Sequence, residues 1–166
     1  LKLADTDSEA YAHGYLDTAL WDLAAKTLDL PAYRHIGGFR TRIPAYMDSE
    51  VEAGSTVQEA VHARDGGFVG FMIKSLPTQE ATADLVREIR RGVGPDYYLM
   101  LNCAGRFSES EAIQLGNVLD ENDMYWFEEP VSGADNETNQ KIAAAIDTPM
   151  ALPVASTRDV SVLMSS

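Results

Sequence analysis

The chain of 166 residues carries 13 Lys and Arg against 26 Asp and Glu, a formal charge of −13, with 45% hydrophobic residues. Its length holds one ordinary domain or part of a larger one, and no run of eighteen apolar residues exists to span a membrane. A surface this acidic repels phosphate backbones and so excludes a nucleic-acid binder, and the single Cys103 excludes an internal disulfide framework and fits a reducing cytosol.

In chain order, residues 10–28 place Leu16, Ala19, Leu20, Leu23 and Ala24 on one helix face, behind a capping box of Thr6 and Glu9. Gly37-Gly38 ends this section, and Ile43-Pro44-Ala45-Tyr46 reads as a short strand. A helix over 57–65 opens on the Thr56…Glu59 box and closes at Gly66-Gly67, and Phe68 to Ile73 is a buried-strand run. Thr78 caps the next helix, whose inner face holds Leu85, Val86 and Ile89, and Tyr97 to Leu101 follows as a strand. The Ser108…Glu111 box starts another helix, Met124 to Phe127 is the fourth strand, and residues 137–146 form the helix after it. Met150-Ala151-Leu152 is the fifth strand, and Ser156…Asp159 starts a last helix.

The strand ends expected from this pattern fall at Tyr46, Lys74, Asn102, Glu128 and Val154, at intervals of 26 to 28 residues. Apolar strands alternating with amphipathic helices at a steady period mean repeated βα units and a parallel sheet. A doubly wound sheet usually carries a glycine-rich phosphate loop, and neither G-x-G-x-x-G nor a P-loop is present. A TIM-like (β/α) barrel fits better, with strand ends converging on one site. Eight such units need about 220 residues or more, so the chain is expected to hold about five of the eight. Its open sheet edges then call for the absent segments or a second chain. The missing initiator Met also suggests that the true start lies elsewhere, and residues 1–7 lack the layout of a signal peptide.

Lys74 and Glu128 at two of these ends supply a base and an oxygen ligand in principle. A lysine walled by apolar groups loses its proton more easily and becomes a usable base. The bland alternative is a structural Lys–Glu ion pair closing the barrel top, and spacing alone leans toward it. The composition with four lysines also suits a high-salt cytoplasm, because screening there removes self-repulsion, or simply an ordinary acidic protein.

The segment Leu16-Asp17-Thr18-Ala19-Leu20-Trp21-Asp22-Leu23-Ala24-Ala25-Lys26 through Gly37-Gly38 resembles the helix leading into the barrel of the enolase superfamily. The similarity is to the mandelate racemase and muconate-lactonizing subgroup. It continues through Ile43-Pro44-Ala45-Tyr46, Gly67-Phe68, Val86-Arg87-Glu88 and Tyr125-Trp126-Phe127-Glu128-Glu129-Pro130. The resemblance implies an α+β capping domain, absent from this chain, ahead of a modified barrel. Residues 1–40 would be the lead-in helix and loop, and 41–166 the first five βα units of a single incomplete domain. It further implies action on a small-molecule carboxylate, by proton abstraction next to the carboxylate and enolate stabilisation on Mg²⁺, as a dehydratase or racemase; the single cysteine adds the expectation of a cytoplasmic protein and the open sheet edges that of a homo-oligomer.

Residue by residue, the resemblance makes Lys74 the base and Glu128 an intact metal ligand. Met72 stands where a first lysine belongs, Asn102 where the first metal carboxylate belongs, and Pro153-Val154 where a Gly-Glu pair belongs. Hard Mg²⁺ wants oxygen ligands, and each charge-assisted contact is worth roughly 1.5–3 kcal/mol, so two lost carboxylates cost at least about a hundredfold in affinity. Asn102 still offers a carbonyl oxygen and Val154 offers nothing. The implied Mg²⁺ site is therefore weak or lost, and a catalytically impaired homologue serving as scaffold or oligomer partner is the alternative to an active enzyme. No organic cofactor is implied.

His13, His35 and His62 lack ligand spacing and read as surface or packing residues. Cys103 reads as buried and inert, Tyr125-Trp126-Phe127 as barrel core, Glu129 as facing away from Glu128, and Arg90-Arg91 as a solvated helix end.

Overall fold

The computed structural model describes residues 7–49, 56–132 and 136–153. The chain forms two compact units, Leu1–Ile43 and Pro44–Ser166. In the first, α1 (Asp7–Thr27) is followed by a short helix α2 (Ala32–His35) that the sequence pattern did not suggest. Pro31 precedes α2, where a missing N–H costs nothing, and the Arg34 and His35 amides bond back to its carbonyl. The expected inner face of α1 is uncovered, with Leu16, Leu20 and Leu23 all exposed and Ala25 buried instead. Thr6, the expected cap of the Thr6…Glu9 box, lies outside the described residues.

The second unit contains β1 (Tyr46–Asp48), α3 (Val57–Asp65), β2 (Gly70–Lys74), α4 (Gln79–Val93) and β3 (Tyr98–Asn102). It continues with α5 (Glu109–Glu121), β4 (Trp126–Glu128), α6 (Asn136–Ala145) and β5 (Met150–Ala151). The five strands lie in the order β1-β2-β3-β4-β5, every pairing parallel. A doubly wound sheet would reverse direction at a switch point, whereas this one steps forward strand by strand as a barrel wall does.

Local signals set the helix starts. Thr56 and Ser108 each accept from the N3 amide while Glu59 and Glu111 bond back to the cap amide, and the Thr78 hydroxyl accepts from Ala81 N. Strand β1 begins three residues later than the run Ile43–Tyr46 suggested. Pro44 has no N–H to donate, and the ladder to β2 starts at Tyr46 opposite Gly70.

Alternation divides the sheet into two faces. Phe71, Ile73, Leu99, Leu101 and Phe127 are fully buried against Val86, Ile89, Leu115 and Leu119 of the helix layer. The opposite face carries Met72, Met100 and Trp126. On a flat sheet β1 and β4 would lie about 14 Å apart, three steps of ~4.8 Å, yet the Tyr46 and Trp126 rings meet at 5.5 Å, edge to face. The wall is curved, and its concave side holds these rings. Among the described residues no helix is long and apolar enough to cross a membrane.

Two expectations need correction. Arg90 is not a solvated helix end: its guanidinium is half-buried and donates to the carbonyls of Gly94, Pro95, Tyr97, Asn122 and Asp123. In the aromatic triplet only Phe127 is fully buried, while Tyr125 is 52% exposed and stacks its ring near Tyr98 and Trp126. The helix expected from Ser156 lies outside the described residues.

Candidate functional site

Three strand ends come into line. Lys74 of β2 is in register with Asn102 of β3, and Asn102 with Glu128 of β4. Because paired residues of parallel strands point to the same side, all three side chains sit on the concave face, one step beyond Met72, Met100 and Trp126. Met72 and Met100 are buried there and form an apolar floor. Ala151 takes the matching place on β5, and Val154, expected at that strand's end, lies outside the described residues.

The polar groups of the site are already engaged with one another. Asn102 Nδ2 donates to Glu128 Oε1 at 2.7 Å, and Trp126 Nε1 donates to Glu128 Oε2 at 3.2 Å. Asn102 Oδ1 in turn accepts from the Ala104 amide at 2.8 Å. That bond fixes which way the amide points, since a flipped Asn102 would set its NH₂ against the Ala104 N–H. The side of Asn102 turned toward Glu128 is therefore a donor.

Lys74 ion-pairs with Asp48 at 2.8 Å, its side chain 37% exposed. It is held by a carboxylate rather than walled by apolar groups. Asp48 ends β1, and the sequence pattern missed it because it placed that end at Tyr46. The observed ends Asp48, Lys74, Asn102 and Glu128 are spaced by 26, 28 and 26 residues, no more regular than the set beginning at Tyr46, so spacing alone does not select Asp48. Ser49, just after it, bonds Glu59 through its hydroxyl and Met72 O through its amide.

Of the other residues singled out, Cys103 is fully buried. Burial pushes its thiol up to about 12, against smaller opposing pulls from Ser75 and Arg106. Glu129 leaves the strand with φ of 43° and bonds Ala151 O through its amide. His35 packs its ring 5.5 Å from Trp21, and His62 lies in the last turn of α3.

The fit of a divalent cation can be judged from these donors. Mg²⁺ needs oxygen atoms converging on one point. Here one carboxylate, Glu128, faces an N–H of Asn102 and an N–H of Trp126. Among the described residues no three of His, Cys, Asp and Glu come together in a way that would hold a metal. The described donor set does not fit Mg²⁺.

Comparison with known proteins places this geometry. The profile of the family described as enolase C-terminal domain-like matches residues 55–158. The chain is 28% identical over 141 residues to the L-talarate/galactarate dehydratase of Salmonella typhimurium, covering 82% of this chain and 35% of that protein. Its fold superposes with a TM-score of 0.74 and 28% identity on D-glucarate dehydratase of Agrobacterium tumefaciens, solved with magnesium, covering 81% of this chain and 39% of the other. A racemase from Streptomyces coelicolor with bound magnesium superposes with a TM-score of 0.82 at 24% identity, over 95% of this chain and 46% of the other, a likeness of fold alone. The chain thus spans between about a third and a half of the proteins it matches.

Proposed function

The chain belongs to the enolase C-terminal domain-like family, and from that premise we propose that it is a barrel scaffold of the sugar-acid dehydratase type that has lost Mg²⁺-dependent enolisation. Its relatives include sugar-acid dehydratases, and the observation that carries the reading is the Asn102–Glu128 hydrogen bond. A strand-end carboxylate that would serve a cation is instead satisfied by two neutral donors. Bound Mg²⁺ would supply positive charge to a developing enolate. Without it, the residues left are Lys74, held by Asp48, and a hydrogen-bonded Glu128, which can position a hydroxy-acid but cannot stabilise a dianion. Val154, the third implied ligand position, has no oxygen in its side chain.

The retained alignment of Lys74 with Asn102 and Glu128 favours a second reading, an active dehydratase or racemase with Lys74 as base. On the active reading the partner is a small carboxylate, and on either reading assembly as a homo-oligomer in the cytoplasm belongs to the proposal. Calorimetric titration with Mg²⁺, paired with a dehydration assay on a panel of sugar acids, separates the two. No binding at millimolar Mg²⁺ and no turnover support the scaffold. Micromolar binding, or turnover that Lys74→Ala abolishes, overturns it.

A further inference from the structure

A cavity of about 540 Å³ lies in the first unit, lined by Tyr33, Gly37, Gly38, Phe39, Arg40 and Arg42 among others. Its charge is opposite to that of the chain as a whole. Between Asp29 and Asp48 there is no Asp or Glu, while Arg34, Arg40 and Arg42 fall within nine residues of a molecule carrying −13.

The chemistry of the lining is specific. Arg40 sits over the Phe39 ring at 5.8 Å from its centroid, and Arg34 over the Tyr33 ring at 5.7 Å. Arg34 donates its Nε to the Tyr33 hydroxyl at 3.2 Å, whereas the Arg40 guanidinium over Phe39 presents edge N–H groups that match the two oxygens of a carboxylate or phosphate. Among the described residues no acidic side chain pairs with Arg40 or Arg42. Apart from Thr41 and the Tyr33 hydroxyl the rest of the lining is apolar, with Phe39 and Ile43 each more than three-quarters exposed. Gly37, at φ of 92°, lets the chain turn there, and the Gly38 amide folds back onto Tyr33 O at 2.6 Å. This turn sets the Tyr33 and Phe39 rings and the two arginines around one space.

We infer that this cavity binds a small organic anion, with a carboxylate or phosphate head on a flat apolar body. Arg40 and Arg42 take the head, and the Tyr33 and Phe39 rings take the body. The site is independent of the strand-end site and does not rest on the reading given for it.

The test is calorimetric titration of the full chain with phenyl phosphate, benzoate, inorganic phosphate and phenol, in 50 mM salt and again in 300 mM. Phenyl phosphate or benzoate should bind at least tenfold more tightly than inorganic phosphate, with phenol showing no binding. The double variant Arg40→Gln/Arg42→Gln should lose at least tenfold, and Arg40→Lys, which keeps the charge but not the planar fork, should lose severalfold. Both arginines lie in a loop, so circular dichroism should show both variants folded. Equal binding of phenyl phosphate and inorganic phosphate would reduce the site to diffuse attraction and overturn the proposal. Unchanged binding by the double variant, or none of the anions binding at 10 mM, would do the same.

Discussion

Asn102 donates from Nδ2 to Glu128 Oε1 at 2.7 Å, across two strands whose ends are in register. Its own carbonyl is tied to the Ala104 amide, so the donor cannot be turned away from the carboxylate without breaking a second bond. The amide leaves the charge of Glu128 in place but hydrogen-bonds its oxygen, where a cation would otherwise be the partner.

Asn102→Asp reverses that balance. Two carboxylates about 4 Å apart repel by about 4 kcal/mol at an effective dielectric of 20, and the introduced carboxylate oxygen left against Glu128 has no proton to offer. The variant should melt several degrees lower than the parent in EDTA. Millimolar Mg²⁺ should restore part of the loss, while the parent shows no response to the ion. A parent that Mg²⁺ stabilises as much as the variant would mean that Asn102 does not block the cation.

Much of this was legible in the sequence, for physical reasons that also explain the gaps. Lys74, Asn102 and Glu128 are legible at strand ends because each follows an apolar run, fully buried ahead of Lys74 and Asn102 and buried at Phe127 ahead of Glu128. The Thr56 and Ser108 caps were legible because a capping box is a contact within four residues. Asp48 was missed because β1 is only three residues long and Pro44 mimics a strand start without being able to join the ladder. Arg90 was misread because its partners are backbone carbonyls as far as 33 residues away, and backbone oxygens leave no trace in composition.

That last feature yields a stability prediction. One guanidinium holds five carbonyls around the loops that enter β3 and β4, with distances from 2.7 to 3.3 Å. Arg90→Met keeps the apolar stem and strands those oxygens, and should cost about 3 kcal/mol in urea unfolding. Arg90→Lys should recover little, since a single ammonium cannot span five acceptors in a fixed fork. Full rescue by lysine would show that charge alone matters at this position.

Cys103 should be chemically silent in the folded chain. With its thiol pushed up to about 12 by burial, only about one molecule in ten thousand is thiolate at pH 8. Labelling by a disulfide reagent at that pH should proceed only through unfolding and accelerate with urea in step with the loss of ellipticity. Rapid stoichiometric labelling in buffer would show that the β3 end opens locally instead.

Asp120 ties the end of α5 to the turn before β5, and it gives the chain an acid-sensitive point. Its Oδ1 accepts from the Thr148 hydroxyl at 2.6 Å and the Thr148 amide at 2.7 Å, and its Oδ2 from the Asp147 amide at 3.0 Å. Partial burial acts to raise the carboxyl, but these donors outweigh it and hold it below its ordinary 3.8. A depressed folded pKa means the stabilisation is complete above the unfolded value and is lost as pH falls through the folded one. Asp120→Ala should therefore cost about 1–2 kcal/mol at pH 7, and the gap from the parent should narrow as pH drops below about 4, where protonation of Asp120 takes the charge-assisted bonds from the parent while the variant has none to lose. Urea melts of both proteins from pH 7 to pH 3 measure this directly. A gap that stays constant to pH 3 would mean that the loop is held by packing and not by the charge on Asp120.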